Sequence, residues 1–363
     1  MTGVAFYAPL KAPTHPKPSG DRTMARAILH ALADMAPGWR VDLVSDLRSH
    51  DGVGDAGVQA GLIAAARSEV ARLLAAPRDW RVWVTYHNYY KSPDLIGPAV
   101  CRALGIPYVL IESTRAAKRL NGPWARFAAL SEAACDRADV IFHLTDHDLP
   151  ALAAGRPAHQ HILRLRPFLD RAALDPAPDR SSDGAGLLAV GMMRHGDKML
   201  SYAALARALA LVTAPGWRLC IAGDGPARAE VARLFARFGA AVTFSGQLDS
   251  AALMAAYRAA DLFVWPGVNE AYGMVYLEAQ ATGLPVLAED RPGVRDVVRD
   301  GGLLTPQDDP AAFAAGIDKL LTAPGRRQRL GALGWQQVGR DHLRPVATQA
   351  LWDGIGRVTG GKA

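Results

Sequence analysis

Short apolar runs alternate along the whole chain with longer stretches whose apolar positions recur every three or four residues. The first kind reads as buried strand, the second as amphipathic helix. In the first half the predicted strands are residues 3–8, 39–45, 80–86, 107–112, 139–144 and 161–166, and the predicted helices are 21–35, 57–75, 94–104, 123–137 and 146–154. Residues 170–186 interrupt the rhythm: they are rich in Pro, Asp, Ser and Gly and show no hydrophobic period, which predicts a linker. The alternation then resumes with strands over 187–191, 217–222, 242–246, 261–265, 285–288 and 303–305 and helices over 200–212, 226–238, 250–259, 273–281 and 310–321; residues 325–358 read as two more helices. Strands that alternate with helices predict parallel sheets joined by crossovers. The expected architecture is therefore α/β, with two doubly wound Rossmann-like domains: 1–169, a linker over 170–186, 187–340, and a C-terminal segment 341–363 packing back toward the first domain. Two such domains facing each other would set a ligand cleft between the carboxyl ends of their strands.

Composition narrows this picture. A chain of 363 residues is long enough for two cores, and a mean hydropathy of +0.03 fits a globular protein. No charged segment precedes the apolar run that begins at Gly3, so no secretory signal is read. The longest apolar helix candidate, 202–212, is broken by Arg207 and is too short for a bilayer, so the cytoplasm is the expected compartment. Cys101, Cys135 and Cys220 are widely spaced in apolar segments, the pattern of reduced core thiols. The net charge of +6 suits an anionic ligand or a membrane surface, but no basic stripe with interleaved aromatics points to nucleic acid.

The densest chemistry lies between Trp265 and Val286. An apolar strand runs into a loop carrying Glu270, and Gly273 opens a short helix that Gly283 and Pro285 close. The amides of Gly273, Met274 and Val275 would lack intrahelical partners and face an anion in front of the helix. Glu278, one turn further in, could accept from vicinal hydroxyls such as those of a ribose. Taken alone, a carboxylate that merely complements the helix dipole and an ordinary C-terminal stop explain the same residues equally well.

Other candidates sit at strand ends. Arg194 and Lys198 follow the first strand of the second half, where a guanidinium and an ammonium could bind a diphosphate; surface charges in a solvated loop are the plainer reading. Gly223-Asp-Gly225-Pro226 joins a strand to a helix but is neither a dinucleotide fingerprint nor a P-loop. Near the start, a loop with Lys11, His15 and Lys17 leads to Ser19-Gly20 at a helix N-terminus, where Gly20 would let the backbone approach an anionic ligand. His87 ends a strand and could touch substrate hydroxyls, or be a half-buried structural histidine. Asp146 and Asp148 match the short acidic pair of metal-dependent nucleotide-sugar enzymes, yet helix N-capping accounts for them. His143 and His147 straddle a strand-to-helix junction, so they would not share a face as zinc ligands do. Residues Arg115 to Arg119, near Trp124, could meet anionic lipid or an acidic acceptor, or form a solvated helix face.

Glu270 and Glu278, within the run from Pro266 to Val286, resemble the signature of retaining glycosyltransferases of family 4, which have the GT-B fold. Arg194 and Lys198 after Val190-Gly191, the Ala222 to Pro226 turn and the Phe244-Ser-Gly246 strand fall in that family's order. The resemblance is specific over residues 187–306 and weaker before them. It implies a retaining, metal-independent transfer of a sugar from a UDP- or GDP-sugar to a hydroxyl acceptor, a glycan or lipid-linked glycan, held by the N-terminal domain. By position, Glu278 would hold the ribose, Glu270 with the Gly273, Met274 and Val275 amides the donor sugar, and Arg194 with Lys198 the diphosphate; no cofactor and no metal are implied. Here Arg194 and Lys198 are four apart with no glycine after the lysine, a departure from the commoner spacing that puts the placement of Lys198 in question. A nucleotide-sugar binding protein without transfer and a GT-B epimerase stay as alternatives, and peripheral contact with the cytoplasmic membrane face is left open.

Overall fold

The computed structural model of the chain describes residues 2–17, 19–34, 38–176 and 184–360. Contacts divide it into two compact units, one of residues up to Asp170 together with Arg344 onward, the other Arg171–Leu343. Residues 177–183, inside the expected linker, lie outside the described residues. Of that stretch, Asp175 is tied to the second unit: its carboxylate accepts from Arg258 at 2.5 Å and its carbonyl from Trp335 Nε1 at 3.2 Å.

In the first unit the elements run β1 (Thr2–Tyr7), α1 (Gly20–Ala33), β2 (Trp39–Ser45), α2 (Ala56–Leu74), β3 (Trp80–Asn88), α3 (Gly97–Leu104), β4 (Tyr108–Ser113), α4 (Ala125–Arg137), β5 (Val140–His143), α5 (Leu149–Ala154) and β6 (His161–Arg164). The sheet is parallel in the order β2-β1-β3-β4-β5-β6. Val4, Ala5, Phe6 and Tyr7 of β1 are fully buried, as a central parallel strand covered on both faces requires. One helical layer packs on Trp83, Tyr108 and Ile141, with Ile96, Val100 and Cys101 of the α3 region against them. Helix α3 begins at Gly97 and not at 94, because Asp94 turns inward and its Oδ1 accepts the Ile96 and Gly97 amides at 2.9 and 2.8 Å.

The second unit follows with β7 (Gly186–Val190), α6 (Asp197–Leu209), β8 (Arg218–Ala222), α7 (Arg228–Phe235), β9 (Val242–Gly246), α8 (Ser250–Ala259), β10 (Leu262–Val264), α9 (Met274–Ala281), β11 (Val286–Glu289), α10 (Pro292–Val298), β12 (Gly302–Thr305), α11 (Pro310–Leu321) and α12 (Pro324–Asp341). Its sheet is also parallel, in the order β12-β11-β10-β7-β8-β9. Helix α6 starts three residues before the expected 200, which puts Lys198 in its first turn rather than in a loop. Helix α7 stops at Phe235, where a 3₁₀ turn over Ala236–Ala241 takes over with Gly239 in a non-helical conformation. Helix α10 was not expected from its Pro-Gly start, although proline is at home in the first turn of a helix.

Last comes α13 (Arg344–Thr359), which belongs to the first unit. Thr348 Oγ1 donates to the Ala31 carbonyl of α1 at 3.2 Å, Trp352 meets Trp39 edge-on at 5.8 Å, and Arg344 binds Asp34 and Asp170 at 2.8 and 2.7 Å. None of the described helices is long and apolar enough to cross a membrane.

Candidate functional site

In the second unit the strand order reverses between β7 and β10, and the carboxyl ends beside such a reversal are where doubly wound sheets take their ligands. Both expected motifs start there: Arg194 and Lys198 follow β7, and Glu270 with Gly273 follows β10. The loop after β7 is pinned to the loop after β8. Met193 N–H donates to the Asp224 carbonyl, and its own carbonyl accepts from Ala227 N–H, both at 2.9 Å. The approach is so close that a Cβ on Gly223 would lie 1.9 Å from the Gly191 carbonyl oxygen, and one on Gly225 2.4 Å from that of Met193. With φ near +144° and +149° as well, these two positions admit glycine and little else.

The loop after β10 is held from below. Tyr202 stands edge-on to Trp265 at 4.9 Å, and Tyr276 donates to the Trp265 carbonyl at 3.1 Å. Asn269, at φ 52°, donates to Asp197 Oδ1 at 2.8 Å, and Ser201 Oγ accepts the Val268 amide at 2.9 Å. This fastening brings Glu270 onto α6. Lys198 Nζ donates to Glu270 Oε1, Trp265 Nε1 donates to the same oxygen at 3.0 Å, and the Lys198 ammonium lies 5.5 Å from the centre of the Trp265 ring. Two residues proposed for one site thus form one knot, with Trp265 as a third member that no charge pattern marked.

Gly273 caps α9 at φ 69°, and a Cβ there would meet the Tyr276 ring at 2.5 Å. Met274 and Val275 form the first turn, where their amides have no carbonyl one turn back. The helix ends in a Schellman arrangement: Gly283 N–H donates to the Gln280 carbonyl at 2.9 Å and Leu284 N–H to that of Ala279 at 3.1 Å. Between the two ends, Glu278 Oε2 accepts from the Tyr257 hydroxyl at 2.8 Å. Burial raises the Glu278 carboxyl above its usual range, against the pull of Tyr257 and of Arg171, a cation from the predicted linker. Helix α10 presses on the Glu270 loop as well, for a Cβ on Gly293 would lie 1.5 Å from the Ala271 carbonyl oxygen.

Not every expected residue joins this constellation. Arg194 is exposed, and among the described residues its side chain is not drawn into the knot, whereas Lys198, the one in question, is central to it. Gly20 and His87 belong to the first unit. Gly20 opens α1 with nothing within 4 Å of where its Cβ would be, and the loop before it is tied down by Arg22 and Arg26 donating to the carbonyls of His15 and Pro13 at 2.9 and 2.7 Å. His87 ends β3 in a left-handed conformation, half-buried, beside Tyr86 and Tyr89.

The weaker motifs resolve differently. Asp146 is paired with Arg164 at 2.5 Å. Asp148 stands at the start of α5 but makes no capping bond, so N-capping does not account for it; its carboxylate accepts from Thr114 and Thr145 at 3.4 and 3.3 Å, and burial raises it. His143 is buried against the Thr145 carbonyl, while His147 is exposed. Among the described residues no group of His, Cys, Asp and Glu is placed to hold a metal ion. Arg115 is spent internally, on Glu132 and Asp136 at 2.6 and 2.7 Å, which removes it from the basic surface. Arg119 lies 5.6 Å and Lys91 5.1 Å from the centre of the Trp124 ring.

Residues 184–323, which hold the whole constellation from β7 to α11, match the family described as Glycosyl transferases group 1. This match lies within the second unit. Among the relatives of the chain, a D-inositol 3-phosphate glycosyltransferase from Frankia alni is 33% identical over 264 residues, covering 67% of this chain and 61% of its own. The chain spans less than two thirds of the length of the first curated glycosyltransferases it matches. Among solved structures, sucrose-phosphate synthase from Thermosynechococcus elongatus aligns over 100% of both chains with a TM-score of 0.75 at 18% identity. HepE from Anabaena, solved with UDP, aligns over 98% of this chain and 100% of its own with a TM-score of 0.74 at 14% identity. At such identities the likeness is one of fold, and that fold is GT-B.

Proposed function

We propose that the chain transfers a sugar from a nucleotide diphosphate donor, bound at the carboxyl ends of β7 and β10, to a hydroxyl acceptor held by the first unit. The observation that carries this reading is the Lys198, Glu270 and Trp265 knot set beside the partnerless amides at the start of α9. A diphosphate is the guest that uses both, since amides at a helix start and an ammonium each stabilise oxyanions. Lys198, with Arg194 swinging in from solvent, would neutralise the diphosphate as it departs. Glu270 would then exchange its lysine partner for the hydroxyls of the donor sugar, and Glu278 would take those of the ribose. No protein nucleophile is required: the leaving phosphate oxygen takes the acceptor's proton while the new bond forms on the same face, which retains the anomeric configuration. The cations present perform the charge neutralisation that a divalent metal would supply, which supports metal-independent transfer.

Thermal shift with UDP, GDP and their sugars tests the donor half, because a ligand bound by the native state alone raises the melting point, by about 2.7 kcal/mol of stability at a hundredfold excess over Kd. Glu278→Ala should abolish that shift and the transfer with it; full activity in this variant would sink the assignment. Proton NMR of the first product should show the donor's anomeric configuration, and EDTA should leave the rate unchanged. An epimerised donor formed without acceptor would instead make the chain an epimerase. Peripheral contact with a membrane is supported by the basic balance and by Lys118 exposed near Trp124, and flotation with anionic liposomes decides it.

A further inference from the structure

The asparagines of the chain, Asn88, Asn121 and Asn269, stand in unlike surroundings. Asn88 is fully buried: its Nδ2 donates to Ser113 Oγ at 2.9 Å and to the Ser131 carbonyl at 3.2 Å, and its Oδ1 accepts the Asp94 amide at 3.0 Å. Asn269 donates to Asp197 Oδ1. The N–H that follows each is engaged as well, Tyr89 with the Ser92 carbonyl at 3.4 Å and Glu270 with that of Gly267 at 3.2 Å. In both, the carboxamide is fixed and the next nitrogen is occupied.

Asn121 differs on each count. It lies between the 3₁₀ turn Ala117–Arg119 and α4, within the exposed run Leu120, Asn121, Gly122 and Pro123. Among the described residues, neither its carboxamide nor the Gly122 amide has a hydrogen-bond partner. The following residue is glycine, at φ 84° with nothing within 4 Å of where a Cβ would lie, so neither a side chain nor a packed neighbour on that side shields its nitrogen. The flanks of this tip are fastened. Arg119 and Leu120 N–H donate to the carbonyls of Ala116 and Ala117 at 2.8 and 3.1 Å, the Pro123 carbonyl accepts from Gln59 Nε2 at 3.0 Å, and Trp124 Nε1 donates to the Asp51 carbonyl at 3.1 Å.

We propose that Asn121 is a site of spontaneous deamidation through a cyclic imide. The Gly122 nitrogen attacks Asn121 Cγ and gives up its proton to solvent, the Cγ–Nδ2 bond breaks, and ammonia leaves. Water then opens the five-membered ring. Opening at Cγ yields an aspartyl residue on the original backbone; opening at the backbone carbonyl yields an isoaspartyl residue, whose main chain runs through the side-chain carbon. Water is the sole co-reactant, and nothing is oxidised or reduced. Either product replaces a neutral amide by a carboxylate and so lowers the net charge of +6 by one unit. The new charge arises two residues from Arg119, whose guanidinium lies 4.9 Å from the centre of the Tyr90 ring and 5.6 Å from that of Trp124, with Lys91 5.1 Å from the same indole. The isoaspartyl form also lengthens the main chain by one carbon just before the anchored Pro123. Deamidation therefore writes a time-dependent negative charge into a cationic, aromatic cluster.

Peptide mapping of the full chain aged in mildly alkaline buffer tests this, because trypsin cuts after Arg119 and Arg126 and releases residues 120–126, which hold no other amide or acid side chain. That peptide should gain the mass of an amide-to-acid exchange and separate into aspartyl and isoaspartyl forms, at least tenfold faster than the peptides holding Asn88 and Asn269. The rate should rise with pH, and in the folded chain it should stay within tenfold of that in a synthetic peptide of the same sequence. Asn121→Gln, whose longer side chain would have to close a six-membered ring, should yield no isomerised peptide over the same period. Aspartyl product without isoaspartyl, a rate no faster than at Asn88 and Asn269, or a folded-chain rate far below that of the free peptide would each overturn the site.

Discussion

Both units turn a parallel six-stranded sheet around a reversal of strand order, yet they furnish the strand ends with opposite materials. At the carboxyl ends of β7 to β10 the chain turns on Gly191, Gly223, Gly225, Gly267 and Gly273, and loop packs on loop with no room for a Cβ at several of them. At the ends of β3 and β4 the special conformations fall on His87 and Glu112, which carry chemistry. The first arrangement strips side chains away and presents backbone amides, which suits an anion of fixed geometry. The second places strain on residues that carry side chains. Within one fold, one set of strand ends is thus shaped by backbone and the other by side chains.

The sharpest way to break this comparison is to put a side chain into the glycine end. Gly223→Ala drives a Cβ into the Gly191 carbonyl at an adverse φ, and should cost about 3 kcal/mol or more. Hydrogen exchange read unit by unit should show the loss in β7 and β8, with protection of β1 and β3 kept; uniform loss would mean that the two sheets do not differ in this respect. Next in size, Lys198→Ala removes a charge-assisted hydrogen bond and the proposed diphosphate partner, and should weaken UDP or GDP binding by about 2 kcal/mol, roughly thirtyfold. Calorimetry giving wild-type affinity would place the diphosphate elsewhere.

The smallest effect is one of pH. Because burial holds the Glu278 carboxyl above its ordinary value, the folded state binds that proton more tightly than the unfolded chain does. Stability therefore falls as pH rises from the ordinary value through the raised one. Under the proposed ribose role of Glu278, nucleotide affinity runs the other way, and it should begin to fail on acidification sooner than an exposed glutamate would allow. Glu278→Gln should flatten both responses; a pH profile unchanged in that variant would assign them to another group.

Much of the fold was legible because each buried strand is a continuous apolar run and each crossover a periodic one. The misplaced ends have local causes: Asp94 folding inward delays α3, and the first turn of α6 carries Asp197 and Lys198, polar residues that hide a helix start. The glycine end of the second unit was legible as spacing, because close backbone approach leaves few residue choices. The Lys198 and Glu270 contact could not be read, since it joins residues 72 apart through the packing of Tyr202 and Trp265. The conformation of Glu112 left no trace at all: strain on an ordinary residue has no compositional mark, and it shows only when Asn88 and Ser113 are seen to lock the strands behind it.

The position of α13 has a consequence for how the molecule is made. Its face meets α1, and Gly354 sits so near Phe142 of β5 that a Cβ would lie 2.3 Å from the ring. Those surfaces come off the ribosome early and stay uncovered until all of residues 171–343 have been synthesised. During translation the later unit can complete its sheet first, while the earlier one waits with an apolar strip open to water. A nascent chain halted near residue 343 should therefore be a chaperone client through its oldest part.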